Sequence, residues 1–355
     1  MPAMRTRITR AGLAAAAVAL LGAVAWGQRP PMPTSSERLV KITDTIYVGM
    51  PTSGADSNGW IFINDDDVLV VDNHWTPARA RTLLANIKSI TTKPVRYVVD
   101  THYHSDHAMG NQAFTDVQLI GHDYTRQMLL TDILAQETHR NFTVDIPART
   151  IDTLKTQIAA ERDPARKDQF EGQLAIQEMT RRTHDEEIKE AKATPPFITF
   201  NDHMTLVRGS REFQLIFLGR AHTGGDIVVY LPRERFIATG DMFGNGVGYM
   251  GDAWVNEWPE TLEKLRQLDF DHVLPGHGAA FDGKDRIAPL QAYFRDLWSQ
   301  ASALKRQGIS AADAASRIDL SKHRTPILSV SAAAGVDVKA VERIYRVLDG
   351  DLAPK

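Results

Sequence analysis

The chain has 355 residues, 43% hydrophobic and 24% charged, which is ordinary for a globular protein able to bury a sizeable core. Its 41 Lys and Arg against 44 Asp and Glu leave a net charge of -3, so no global basic field exists to hold nucleic acid or an anionic membrane, and a small-molecule partner is expected. The absence of cysteine excludes disulfides, thiolate metal ligands and lipidation at a cysteine.

The first segment carries Arg5, Arg7 and Arg10, then an uncharged apolar run from Ala11 to Ala25, then Ala25-Trp26-Gly27. This pattern predicts a secretory signal peptide over residues 1–27 and a periplasmic or secreted protein. The alternative, a retained membrane anchor, meets a run shorter than the roughly 20 apolar residues of a spanning helix, so no stable membrane insertion is expected after cleavage. The arginines are not adjacent, which argues against a twin-arginine signal.

A proline-rich spacer over 28–39 precedes "TIYVGM", "GWIFIND" and "VLVVDNH", short segments rich in Ile, Val and Phe that read as strands. "TPARARTLLANIKSI" has helical spacing, with a cap at Thr76 and Pro77 behind it. "PVRYVVDTHYHSDH" then runs a buried-type strand into a histidine cluster, at the strand end where open α/β sheets place ligand sites. Residues 123–193 are charged, Gln-rich and poor in β-branched residues. They are predicted as an insertion of amphipathic helices broken at Pro147 and Pro164, either a solvated face or a lid or dimer contact.

Strands resume at "FITFNDHMTLVRGSREFQLIFLGRAHTGGDIVVYLPRERFIATGD", with a hairpin at Arg208-Gly209-Ser210. A helix over "WPETLEKLRQL" leads to the strand "HVLPGHG", and residues 286–355 are predicted as a helical extension interrupted at Gly308 and Pro326. Strands and helices on both sides of the insertion suggest two similar halves forming one layered domain over 40–285.

In an extended strand end, positions i and i+2 share a face, so His102 and His104 can reach one metal ion, while the following turn sends Asp106 and His107 toward a second. Three further segments end in potential ligands beside glycine: His222 in "LGRAHTGGD", Asp241 in "IATGDMF" and His277 in "VLPGHGAAF". Five imidazoles and two carboxylates suit two zinc ions, with iron or manganese as alternatives. Structural zinc sites are closed and usually contain Cys, so this set points to a catalytic two-metal centre.

The pattern His102-x-His104-x-Asp106-His107, with His222, Asp241 and His277 following in order, resembles the signature of the metallo-β-lactamase-fold hydrolase superfamily. The resemblance covers roughly residues 40 to 285. It implies an αββα sandwich with the site at one edge between the sheets. It further implies that His102, His104 and His222 hold one metal, that Asp106, His107 and His277 hold the other, and that Asp241 bridges them.

A metal-bridging hydroxide would then open a carbonyl substrate, Asp106 serving also as the catalytic carboxylate that orients it. The stretch "GRAHTGGDIVVYLP" looks like the β-lactamases that carry a cysteine ligand, which makes a β-lactam the first substrate expected. Asp241 and Gly244, however, stand where those enzymes have a cysteine and a lysine. In this the chain is similar to glyoxalase II and the acyl-homoserine lactonases, which open thioesters and lactones. Two rivals remain on the same fold, a mononuclear iron persulfide dioxygenase and a non-catalytic metal-binding protein. The diiron branch of the superfamily would put glutamate where His104 stands.

Asp72 is expected to orient a ligand imidazole. "MFGNGVGYMGDAWVNEW" is expected to form one pocket wall, with Tyr249, Trp254 and Trp258, together with His74, as candidate substrate contacts. His122, His139, His184, His203, His272 and His323 lack a companion motif and are assigned to surface or core. The sequence leaves the oligomeric state open.

Overall fold

β-branched runs that are apolar on successive residues cannot leave either face in water, and here they become the middle strands of two stacked sheets. The structure, a computed structural model, describes residues 37–52 and 56–351. In the first sheet β1 (Glu37–Lys41), β2 (Ile46–Pro51), β3 (Gly59–Ile63) and β4 (Val68–Val71) pair antiparallel. β5 (Val95–Val99), β6 (Gln118–His122) and β7 (Ile198–Phe200) extend the same sheet in parallel. The second sheet takes β8 (His203–Arg208), β9 (Arg211–Phe217), β10 (Ile227–Leu231), β11 (Phe236–Gly240), β12 (His272–Pro275) and β13 (Phe281–Asp282), mainly antiparallel with β11 and β12 parallel. The two-residue hairpin turn falls at Gly209–Ser210, where Gly209 has φ 60°.

Inner faces of both sheets supply one core: Trp60, Phe62, Leu69 and Val99 meet Phe213, Leu215, Val229 and Leu274, with Phe62 and Phe213 edge to face at 5.5 Å. Outside the first sheet lies α1 (Pro77–Ile90), which buries Ala80, Leu83 and Ile87 against Ile61, Val70 and Val98. Thr76 caps it, its hydroxyl accepting from the Arg79 amide. A short helix, α2 (Ser105–Ala108), follows β5 directly.

The insertion contains α3 (Asp123–Leu129), α4 (Glu137–Arg140), α5 (Ile146–Ala160) and α6 (Pro164–Glu187). Pro164 opens α6, as the sequence suggests, but Pro147 ends nothing. The chain runs from α4 through a π-helical segment, Asn141–Asp145, straight into α5, and this widened turn accommodates the missing proline N–H and the ring's bulk.

Two boundaries differ from the sequence reading. Strand β1 begins at Glu37, inside the stretch read as spacer, because Leu39 packs on the α1 layer. The C-terminal segment is no appendage. α8 (Ile287–Arg306), α9 (Ala311–Arg317) and α10 (Val338–Leu348) join α7 (Trp258–Gln267) as the outer layer of the second sheet, completing the αββα arrangement. The predicted signal peptide and residues 28–36 lie outside the described residues. Among the described residues no helix is long and apolar enough to cross a membrane.

Trp258 sits at the centre of this outer core, stacked on Phe294 at 4.3 Å, with its indole N–H donated to the Met242 carbonyl. Trp258→Ala should therefore cost about 3–5 kcal/mol, read as a lower urea midpoint at unchanged m-value. A loss below about 1 kcal/mol would contradict its packing role.

Candidate metal centre

Strand ends aim the histidines. β5 stops at Val99, and Thr101 to His107 leave it as a loop and the first turn of α2, so His102, His104, Asp106 and His107 all emerge at one edge of the sandwich. The loops after β9, β11 and β12 bring His222, Asp241 and His277 to the same edge. His104 Nδ1 and His222 Nε2 face each other at 3.0 Å. His277 Nε2 lies 3.2 Å from Asp106 Oδ2 and 3.3 Å from Asp241 Oδ2. Asp241 also reaches toward His107 (3.6 Å) and His222 (3.5 Å), so its two oxygens sit between the two groups.

These atoms form three overlapping clusters able to hold a cation: His102, His104 and His222; Asp106, His107 and His277; and, between them, His102, His107 and Asp241. The donor set fits divalent metals. His102 Nε2 and His107 Nε2 are buried and lack any protein hydrogen-bond partner among the described residues, the condition expected of atoms reserved for an ion. Burial and the neighbouring imidazoles hold His102 well below the ordinary histidine pKa and His222 at about 3, the neutral form that a metal requires. Burial alone would raise the carboxyls of Asp106 and Asp241, yet the facing imidazoles of His107 and His277 pull both well below the usual range. Gly276 makes the approach possible, since a Cβ there would stand 2.2 Å from Asp241 Oδ1.

Each ligand imidazole outside the β9–β10 loop is tied at its far nitrogen. Asp72, at φ 59°, accepts from the Thr101 amide and hydroxyl and lies 2.8 Å from His107 Nδ1, as its place in the sequence suggests. Thr101 Oγ1 is 3.1 Å from His102 Nδ1. The Asp56 carbonyl is 3.0 Å from His277 Nδ1. Asp252 Oδ2 is 3.1 Å from His104 Nε2 and also accepts from the Thr138 hydroxyl of the insertion. Burial would raise the Asp252 carboxyl, but His104 and Thr138 hold it near 2.

A cavity of about 350 Å³ opens over Asp106, Asp241 and His277. Its walls come from Trp75, Ser105, the insertion's Ile133, Gln136, Thr138, His139 and Phe142, and the glycine-rich loop from Gly244 to Tyr249. Tyr249 thus borders the cavity. Trp254 and Trp258 do not: Trp254 lies buried under the guanidinium groups of Arg220 and Arg343, at 3.4 and 4.9 Å from its ring centre, and Trp258 belongs to the helical core.

His74 does not line the cavity either. At φ 75° it is fully enclosed, with Nε2 2.9 Å from Glu37 and Nδ1 3.5 Å from Asp56, at ion-pairing distance though not in aligned hydrogen bonds. Arg79 joins the cluster through Asp56 at 2.8 Å and Glu187, at the end of α6, at 3.3 Å. Burial would lower the His74 pKa, but Asp56 and Glu37 raise it to about 10. Sequence reading missed Asp252, Asp56, Ser105 and His139. Only Asp252 left a trace, as a lone carboxylate in the aromatic, glycine-rich run after Asp241.

A family model described as the Metallo-beta-lactamase superfamily matches residues 53–277. A "Metallo-beta-lactamase type 2" of Elizabethkingia meningoseptica is 21% identical over 283 residues, covering 77% of this chain and 88% of that protein. Among solved structures, a metallo-beta-lactamase from Pontibacter korlensis superposes with TM-score 0.51 at 20% identity, over 72% of this chain and 99% of that one. The sec-alkylsulfatase Pisa1 from Pseudomonas sp. superposes with TM-score 0.60 at 15% identity, over 90% of this chain. The matched part is 52% of the sulfatase's length, and at these identities the likeness is one of fold.

Two outcomes follow from the partner residues. Asp252→Asn, which keeps the shape but loses the charge behind His104, should weaken metal affinity about 10–100-fold in chelator competition; unchanged affinity would remove Asp252 from the centre. His74, raised from 6.5 to about 10, contributes stability that is complete below about pH 6.5 and is lost as pH climbs through 10. His74→Asn, which tolerates a positive φ, should cost about 3–5 kcal/mol at pH 7 and flatten the fall in Tm between pH 7 and 10. Parallel Tm profiles for the two proteins would refute the buried cation.

Proposed function

The chain belongs to the metallo-β-lactamase superfamily, and on that premise we propose that it is an exported, dinuclear metal-dependent hydrolase of carbonyl substrates. The observation that carries the reading is the pair of complete ligand groups, His102–His104–His222 and Asp106–His107–His277, joined by Asp241 at the floor of one cavity. Two zinc ions held there would supply a hydroxide at neutral pH and polarise the scissile carbonyl. Asp106 uses Oδ2 toward His107 and His277, which leaves Oδ1 to accept a hydrogen bond from that hydroxide and orient it. No serine or cysteine nucleophile is required. Export rests on the N-terminal basic and apolar pattern.

Cavity chemistry narrows the substrate. No lysine or arginine lines it among the described residues, so an anionic group remote from the metals finds no ion-pair partner. β-Lactams carry such a carboxylate, whereas lactones and thioesters need none. The apolar surfaces of Trp75, Ile133, Phe142 and Tyr249 suit an uncharged acyl chain. A neutral lactone or thioester is therefore the favoured substrate. A mononuclear iron dioxygenase would use fewer ligands and leave part of this set without a task.

Metal analysis of protein purified without added metal, followed by assay with nitrocefin, hexanoyl-homoserine lactone and an acyl thioester, tests the proposal. Two zinc ions per chain and turnover of the lactone or thioester in preference to nitrocefin are expected. One iron per chain with sulfur-dependent oxygen uptake would sink it. His104→Ala and Asp241→Ala should each abolish turnover with the fold retained by circular dichroism.

A further inference from the structure

The insertion places one histidine in the cavity wall without using it as a metal ligand. His139, on α4, has Nδ1 3.0 Å from Ser105 Oγ, and Ser105 is the residue between His104 and Asp106. The Trp75 indole donates to that same serine oxygen at 3.1 Å. Hydrogen-bond accounting fixes the direction of this chain. If His139 Nδ1 carried the proton, Ser105 Oγ would receive two donors and its own O–H would lack an acceptor among the described residues. If Nδ1 accepts, Trp75, Ser105 and His139 are all satisfied, and the imidazole proton must sit on Nε2.

His139 borders the cavity, and its Nε2 has no protein partner among the described residues. The backbone carbonyl of His139 accepts from the Thr143 hydroxyl, and the ring of His184 of α6 lies 6.0 Å from that of His139 and 4.4 Å from Trp75. Burial keeps the His139 imidazole neutral, at a pKa near 4, despite the nearby Asp106 charge.

We propose that His139 is a specificity-determining substrate contact whose Nε2–H donates to an uncharged oxygen of the substrate, the carbonyl or ring oxygen of an ester, thioester or lactone. The proposal rests on the hydrolase reading for its substrate class. Its structural half, the fixed tautomer, stands apart from turnover. With no lysine or arginine among the described lining residues to bind a carboxylate, an uncharged oxygen is the acceptor that suits this wall. His139 also lies on the insertion, so the segment outside the core sandwich supplies the polar discrimination while the core supplies the reactive centre.

Two measurements test it. Histidine ¹⁵N NMR of the metal-free protein at pH 7 should show His139 neutral and protonated at Nε2; an Nδ1-protonated ring would overturn the proposal. With p-nitrophenyl butyrate as the probe, His139→Phe should raise KM about 3- to 10-fold at unchanged metal content, the worth of one neutral hydrogen bond. His139→Gln, which keeps a donor, should recover most of that loss in KM while the two variants keep the same Tm, whereas rescue of a purely structural histidine would appear in Tm. Unchanged KM in His139→Phe, or equal KM in both variants, overturns the inference while an active wild type leaves the hydrolase reading standing. A wild type loaded with metal but inert toward every ester, lactone and thioester overturns both.

Discussion

An imidazole is aimed most firmly at an ion when its other nitrogen is fixed, and the fold does this for His102, His104, His107 and His277. Asp72 leaves β4 in the left-handed region, a conformation unfavourable to a residue with a Cβ, and by doing so turns its carboxylate onto both Thr101 and His107. One residue thus joins the ends of two parallel strands and orients a ring. The turn carrying His277 is held in a similar way from the opposite sheet, where Asn58 and Trp60 donate to the Pro275 carbonyl and Asn58 donates also to that of Gly278. These anchors sit at or beside strands packed between two helical layers, so the protein itself holds the donor atoms in position. The same proximity divides the imidazoles: burial and neighbouring rings keep His102 and His222 on the neutral side, while Asp106 and Asp241 favour the protonated form of His107 and His277 until an ion takes the proton's place.

The insertion is coupled to the same centre at three points. Thr138 holds Asp252 behind His104, His139 meets Ser105, and Glu187 bonds Thr76 and Arg79 at the start of α1. Arg79 and His74 enclose Asp56, whose carbonyl steadies His277. Removing one member of this buried cluster leaves another charge without a partner, which costs more than the cluster itself contributes. The helical hairpin α5–α6 is therefore anchored at its base, although most of its surface faces solvent.

The ligand motif was legible because it is local. His102 to His107 crowd six positions, and the other three candidates each follow a strand in a glycine-containing turn. The sheets were legible for a similar reason, since runs such as "VLVV" have no polar side to expose and the structure buries all four residues. Partner residues were not. Asp252 lies 148 positions from His104, and nothing in its neighbours distinguishes it from a surface aspartate. His139 sits in a charged helical stretch whose composition describes the solvated face and hides the few side chains turned inward. The aromatic run after Asp241 divided along its length: Tyr249 borders the cavity while Trp254 and Trp258 turn into the core, because helices α7, α8 and α10 offer them apolar and guanidinium surfaces. That outer layer comes partly from the segment read as an extension. Amphipathic periodicity reveals a buried face without naming what it is buried against.

Charge in the cavity is confined to its floor. Asp106, Asp241 and the ions they would hold form the polar end, and above them stand aromatic rings, glycines, the uncharged polar side chains of Gln136, Thr138 and Asn245, and the neutral imidazole of His139. Such a surface discriminates weakly by fit alone, because one methylene more or less in an apolar pocket changes selectivity by only about 10–200-fold. A fixed donor embedded in that wall discriminates differently. It is left unpaired by any substrate that lacks an acceptor at that point, and an unpaired polar group in a water-poor cavity costs about 1–3 kcal/mol. Polar selectivity in this chain therefore depends less on how many groups face the substrate than on how they are held, His139 by the tautomer that its contact with Ser105 and Trp75 sets.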